Sequence, residues 1–161
     1  MRDVNPEYVE RLMEFINASP FAMEHNFKVE EMRPGYARVV AEPDGRFLNP
    51  TGGLHGGYYS SLVDTATGYA TFLLHTEDVG TITLDVNVTY AKPFKTGKII
   101  AEGNVIKVGT KVDMSECVVR DEEGRLLASG SSNLMIIPGV QIMEDCVVES
   151  GRPPMPPKFL D

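Results

Sequence analysis

The 161-residue chain has no tryptophan, only two cysteines and only three histidines. Cys117 and Cys146 have neither CxxC spacing nor a neighbouring histidine, so they read as free thiols in a reducing compartment. His25, His55 and His75 are far apart and form no ligand motif, so no metal site is expected. Basic residues are also scarce: 15 Lys and Arg against 23 Asp and Glu leave a net charge of −8. That balance argues against general binding of nucleic acid or of an anionic membrane. The start, Met-Arg-Asp-Val-Asn-Pro-Glu, has no apolar run of signal-peptide length, and no later segment approaches a membrane span. A cytoplasmic location follows as the expectation.

The length suits one domain with a real core, and 42% hydrophobic residues is ordinary for a globular chain. The chain is organised around residues 49 to 74. A glycine-rich loop there runs into a stretch with apolar residues at 58, 59, 62, 63, 66, 69, 70, 73 and 74, a helical period. Between Gly56 and Leu74 there is no Lys, Arg or Glu, and tyrosines apart, Asp64 is the only ionisable side chain. Ser60, Ser61, Thr67 and Gly68 share its face, a strip of small residues with room for something to approach. A merely wet face would favour Lys, Glu and Arg, which are better helix formers.

Around this centre the pattern is mixed. Asn5-Pro6-Glu7 reads as an N-cap, a first-turn proline and an acid at the positive helix end, opening a short helix over about 5–17. Val29 to Met32 and Tyr36 to Ala41 read as strands broken at Pro34-Gly35. After a central helix over about 56–75, Thr81-Ile-Thr-Leu-Asp-Val-Asn-Val-Thr-Tyr90 alternates: Ile82, Leu84, Val86, Val88 and Tyr90 one way, the threonines, Asp85 and Asn87 the other. Runs over 98–107, 111–120 and 125–137 complete a four-strand meander. The fold class is α+β, the helix packed on an antiparallel sheet, in one domain over 1–137. Residues 138–161 form a C-terminal extension in which 140–149 is an edge strand or packing segment and Arg152-Pro-Pro-Met-Pro-Pro157 an extended, mobile tail.

The loop Gly52-Gly-Leu-His-Gly-Gly57 should leave backbone N–H groups accessible at a helix start, where the dipole adds partial positive charge. That suits an anion or a developing oxyanion. The missing Gly-Lys-Ser/Thr ending excludes a P-loop, and the absence of parallel units excludes a dinucleotide fold. Five lysines, Lys92, Lys95, Lys98, Lys107 and Lys111, fall in a window whose only acid is Glu102, a local basic surface in an acidic chain.

Asn49, Gly53-Leu-His-Gly-Gly57 and Asp64, then the strand ending at Tyr90 and Pro93, resemble the hotdog-fold acyl-CoA thioesterases of the phenylacetate-pathway (PaaI) type. The resemblance covers roughly 28–137. It implies a five-stranded antiparallel sheet wrapped around the central helix, paired into dimers or tetramers with the active site at the subunit interface. It implies that the Gly56 amide polarises the thioester carbonyl, that His55 and Asn49 arrange that end of the site, and that Asp64 of the partner subunit activates water or attacks directly. Thr83 falls where the family carries a hydroxyl that positions water or substrate. Tyr90, Lys92, Lys95, Lys107, Val108, Gly109, Thr110 and Lys111 match segments that contact coenzyme A, which enters only as part of the substrate, with no other cofactor. Tyr58, Tyr59, Leu62 and Phe94 are candidates for the acyl pocket.

Other readings stay open at this point. The same fold could bind or sense an acyl-CoA without chemistry. A hotdog dehydratase would place a catalytic histidine with its acid. A DNA-reading repressor is disfavoured, since the 27 residues before the first strand carry only Arg2 and Arg11 as basic residues.

Overall fold

The computed structural model describes residues 2–160; Met1 and Asp161, the outer bounds of the expected domain and extension, lie outside the described residues. Helix α1 (Pro6–Asn17) starts where Asn5 accepts a hydrogen bond from the Glu7 amide, and it buries Tyr8, Leu12 and Ile16 along one stripe. A single turn and a half, α2 (Pro20–Glu24), follows behind Ser19, whose hydroxyl caps it. Strands β1 (Phe27–Arg33) and β2 (Tyr36–Ala41) form a hairpin, and the central helix α3 spans Gly56–Phe72. Then come β3 (Val79–Tyr90), β4 (Ile99–Lys107), β5 (Val112–Asp121), β6 (Leu126–Pro138) and a last helix, α4 (Met143–Glu149).

All strand pairs are antiparallel, in the order β1-β2-β4-β5-β6-β3. The sheet therefore has six strands where the resemblance implied five, and the two short runs before the helix are separate strands. Nor is β3 to β6 a simple meander: β3 pairs with β6, and β2 with β4. The connection from Ala91 to Lys98 is too long for a tight hairpin and contains Pro93 and a left-handed Gly97 at φ 113°. It carries the chain across the sheet instead of turning it back on its neighbour. β3 is left as an edge strand.

Every strand touches α3, so the sheet wraps the helix rather than covering one side of it. Tyr58, Tyr59, Leu62, Val63, Ala66 and Ala70 are buried. Each large apolar side chain removed from water in this way contributes about 1.5–3 kcal/mol. Of the strip of small residues, Thr67 is buried, while Ser60, Ser61 and Gly68 stay half-exposed and Gly68 lines a pocket beside Asp64. A Cβ at Gly103 of β4 would lie 2.3 Å from the Ala66 carbonyl oxygen. Ser61, Thr65 and Thr67 return their hydroxyls to the carbonyls four residues earlier, which satisfies polar groups without water. Tyr58, Tyr59 and Leu62, expected at the acyl pocket, belong to this core. The helix ends at Phe72, short of the expected 75, and His75 turns away to meet Asp113 of β5 at 2.5 Å.

β3 does not alternate throughout. A bulge between Thr83 and Asp85 shifts its register against β6. Before it, Thr81 and Thr83 face the helix side; after it Val86 and Val88 pack on the core, and Tyr90 reaches Gly56. Leu84, at the bulge, is exposed.

The stretch expected as an edge strand or packing segment over 140–149 is largely helical, and the proline-rich tail is pinned rather than mobile. The Asn5 amide donates to the Lys158 carbonyl at 2.9 Å, the Leu160 amide to Asp3 at 2.8 Å, and Val4 bridges Phe159. Lys158 is 1% exposed, with its Nζ donating to the Phe72 carbonyl at 2.8 Å. That carbonyl is one of the helix-end acceptors that α3 cannot satisfy itself, and this anchors the tail. Among the described residues, no helix is long and apolar enough to cross a membrane.

Candidate active site

The start of α3 is built by His55 and Asn49. His55 is the N-cap: its Nδ1 accepts from the Gly57 amide at 2.9 Å, and its carbonyl accepts from Tyr58 at 3.0 Å. The ring therefore carries its proton on Nε2 when neutral. Asn49 closes the loop in front. Its Oδ1 accepts from the amide and hydroxyl of Thr51 and from the Gly53 amide, and its carbonyl accepts from Gly52. Leu54 and His55 donate to the Phe94 and Phe47 carbonyls.

Sequence pattern suggested a loop with several accessible amides; in the fold nearly all of them are taken. The exception is Gly56, the first helical residue, whose amide donates to no group among the described residues. Asn49 is thus a loop builder and His55 a cap. Together they present one free N–H at the positive end of a 17-residue helix. Tyr90 stands beside it, its hydroxyl 3.2 Å from the Gly56 carbonyl and 3.3 Å from Ser60 Oγ.

Two turns further along, Asp64 Oδ1 accepts a hydrogen bond from the Thr83 hydroxyl at 2.8 Å. Both line an open pocket of about 510 Å³ together with Tyr69, Phe72 and Leu134. Burial, and then the nearby Asp64 charge, push the Tyr69 hydroxyl up to about 12. It keeps its proton at neutral pH and is a donor in the pocket. By sequence Tyr69 is one of the apolar positions of the helix; in the fold it lines the pocket with Asp64, five positions before it.

Asp64 and Gly56 are eight residues apart on one helix, about 12 Å along its axis at 1.5 Å per residue. One chain does not bring them together on a single carbonyl. The lysines are divided in the same way. Lys92 and Lys95 lie in the loop after β3, and Lys107 and Lys111 flank the β4–β5 hairpin, all exposed. The nine residues of β4 put about 30 Å between the two pairs. Lys98 immediately precedes β4 at the first end, half-buried near Glu30 and Glu42. At the hairpin, Val108 and Thr110 are exposed and the Gly109 amide donates to Asp113 at 3.0 Å. Among the described residues, no three His, Cys, Asp or Glu side chains group to hold a metal ion.

Residues 51–128 match the family described as the thioesterase superfamily. The chain is 33% identical over 94 residues to the proofreading thioesterase EntH of Klebsiella pneumoniae, covering 58% of this chain and 69% of EntH. The chain spans 60% to 69% of the length of three curated relatives that it matches. In structure it is similar to a thioesterase from Haemophilus influenzae, with a TM-score of 0.75 and 24% identity over 88% of this chain and 98% of that one. It is also similar to a mutant form of the phenylacetic acid degradation protein PaaI of Thermus thermophilus, with a TM-score of 0.67 and 24% identity over 73% and 98% of the two chains. A helix wrapped by an antiparallel sheet, with this match over the loop and helix that carry Gly56 and Asp64, places the chain in the thioesterase superfamily as a hotdog-fold thioester hydrolase.

Proposed function

We propose that the protein hydrolyses acyl-CoA thioesters at a site shared between two copies of the chain. The observation that carries this is the separation of Asp64 from the free Gly56 amide along one rigid helix. The two groups suit opposite ends of one reaction, and two chains are needed to bring them together.

The edge strand supplies a way to do it. Thr83 touches Asp64, and Tyr90 touches Gly56. Antiparallel pairing of β3 with its own copy, centred between Val86 and Asn87, sets Thr83 opposite Tyr90 of the partner subunit. Asp64 then faces Gly56 of the partner subunit across the junction. The same twofold brings Lys92 and Lys95 to the sheet end that holds Lys107 and Lys111 of the partner subunit, a basic surface for the phosphates of coenzyme A.

In this arrangement Asp64, oriented by Thr83, takes a proton from water as the water oxygen attacks the thioester carbonyl carbon. The oxyanion forms against the Gly56 amide of the partner subunit. Collapse breaks the carbon–sulfur bond and releases the free acid and the thiol of coenzyme A, which takes up the proton. A donor of this kind is worth about 3 kcal/mol and a positioned base roughly 10²- to 10⁴-fold. Direct attack by Asp64 would instead pass through an acyl anhydride, and ¹⁸O found in the Asp64 carboxylate after a single turnover in ¹⁸O-water would establish that route.

The test is release of free thiol from a panel of acyl-CoA esters by wild type and Asp64→Asn. Turnover that collapses in the variant while the fold is kept supports the proposal. Full activity in the variant removes Asp64 from the chemistry, and saturable acyl-CoA binding with no thiol released by wild type replaces hydrolysis with binding alone.

A further inference from the structure

The Asp64 pocket is closed on one side by chain that lies outside the matched family region. Gln141, Met143 and Cys146, from the C-terminal extension, line it together with Asp64 and Thr83. Phe27, Phe72 and Leu134 line it as well. From these observations we infer that the extension is the specificity wall of the site, and that it selects a bulky apolar acyl group, medium-chain or aryl, over acetyl. This rests on the reading of Asp64 as the catalytic group.

The extension is held in place by contacts at several points along its length. Where it crosses the start of β3, a Cβ on Gly80 would fall 1.8 Å from the Val140 carbonyl oxygen, so the crossing needs a glycine beneath it. Gln141, the next residue, adopts a left-handed backbone at φ 52° as the chain turns into α4. Glu144 of α4 accepts from the Tyr8 hydroxyl of α1 at 2.6 Å. Further on, Arg11 donates to the Pro153 carbonyl at 2.9 Å, and buried Lys158 closes the path against Phe72. These contacts fix Met143 half-buried against the core and leave Cys146 exposed at the pocket. An acetyl group would leave the apolar walls wet. Each further methylene or ring carbon that reaches them gains from burial.

The experiment has two arms. The first measures kcat/KM for acetyl-, octanoyl-, dodecanoyl- and benzoyl-CoA with wild type, Cys146→Phe and Met143→Ala. Wild type is expected to prefer octanoyl and benzoyl over acetyl. Cys146→Phe, which narrows the pocket from an exposed position, should lower the octanoyl-to-acetyl ratio about tenfold or more. Met143→Ala should raise the dodecanoyl-to-octanoyl ratio. The second arm needs no turnover: in Asp64→Asn, octanoyl-CoA should slow maleimide labelling of Cys146 and acetyl-CoA should not, Cys117 being buried.

Should Met143→Ala fail to fold, Cys146→Phe and the labelling still decide. Ratios that match wild type in a turning-over Cys146→Phe enzyme, or Cys146 labelling indifferent to octanoyl-CoA, overturn the wall while leaving the catalytic reading intact. A wild type that prefers acetyl overturns the substrate class. A wild type that hydrolyses no thioester, yet shows the octanoyl protection, overturns the catalytic reading alone.

Discussion

Thr83 donates its hydroxyl proton to Asp64 across 2.8 Å, tying the edge strand to the middle of the central helix. The contact depends on one extra residue. In an unbroken strand Thr83 would share a face with Asp85, Asn87 and Thr89, and Val86, Val88 and Tyr90 would point the other way. The bulge at Leu84 reverses the alternation, so Thr83 and Tyr90 both face α3, one over Asp64 and the other over Gly56. Bulges re-aim side chains in this manner beside active sites.

Thr83→Ala should lower kcat about 10- to 100-fold, the effect of removing a hydrogen bond to a charged group. Thr83→Ser should recover most of it. Steady-state rates of thiol release from one good acyl-CoA ester check both; an unchanged Thr83→Ala separates the hydroxyl from the chemistry.

Gly56→Pro removes the one free amide and keeps the backbone shape, but its ring must push Tyr90 aside, since a Cβ at this position would lie 3.1 Å from the Tyr90 ring. Proline is favoured at the first helical position, and His55, at φ −64° and ψ 137°, already has the extended conformation that precedes proline. We expect a modest loss of thermal stability from the crowding at Tyr90 and a loss of about 10²- to 10³-fold in kcat, with Gly56→Ala, which crowds Tyr90 but keeps the amide, losing much less. Undiminished turnover would mean that the oxyanion is held elsewhere.

Mixing the two dead enzymes tests the shared site. Asp64→Asn and Gly56→Pro, unfolded and refolded together in equal amounts, should regain about a quarter of wild-type activity. Half of the pairs are then mixed, and each mixed pair has one intact site. A site contained within one chain would give no recovery.

The cap at His55 is a stability element. His55→Ala should cost about 1 kcal/mol in chemical denaturation, and His55→Asn, another side chain that can accept from Gly57, should cost much less. Equal losses in both would assign the effect to ring packing.

Lys158 makes a pH-dependent contribution of definite sign. Burial, opposed by the charges of Glu144 and Glu77, lowers its pKa from 10.5 to about 8. Between those values the unfolded chain holds a proton on Lys158 that the folded chain has released, so stability should rise with pH across that window. Below about pH 8 the folded state carries the cost of a buried ammonium. Thermal melts of wild type and Lys158→Met from pH 7 to 10 should therefore show wild type gaining on the variant as pH rises.

Much of this was readable along the chain because it is local. Helical periodicity marked out α3, Asn5 marked the start of α1, and the absence of any other non-tyrosine ionisable group between Gly56 and Leu74 drew attention to Asp64. These follow from propensity, capping and side-chain chemistry, which act over a few residues. The bulge left no such mark, since a strand of perfect alternation tolerates one extra residue if its partner demands it. The lysines are divided for a related reason: closeness in sequence became distance within one chain once β4 ran between them.

The chain by itself determined which residues could do chemistry: one carboxylate on a nearly uncharged helix, and a glycine-rich entry to that helix behind a histidine able to cap it. Tertiary structure alone decided which of the loop amides stays free, that Thr83 rather than a valine meets Asp64, and that the tail returns to line the pocket. Those outcomes depend on hydrogen-bond partners and packing neighbours 19 to 86 residues away. Such long-range pairings are fixed by competition among whole surfaces for burial, and no local pattern encodes the result.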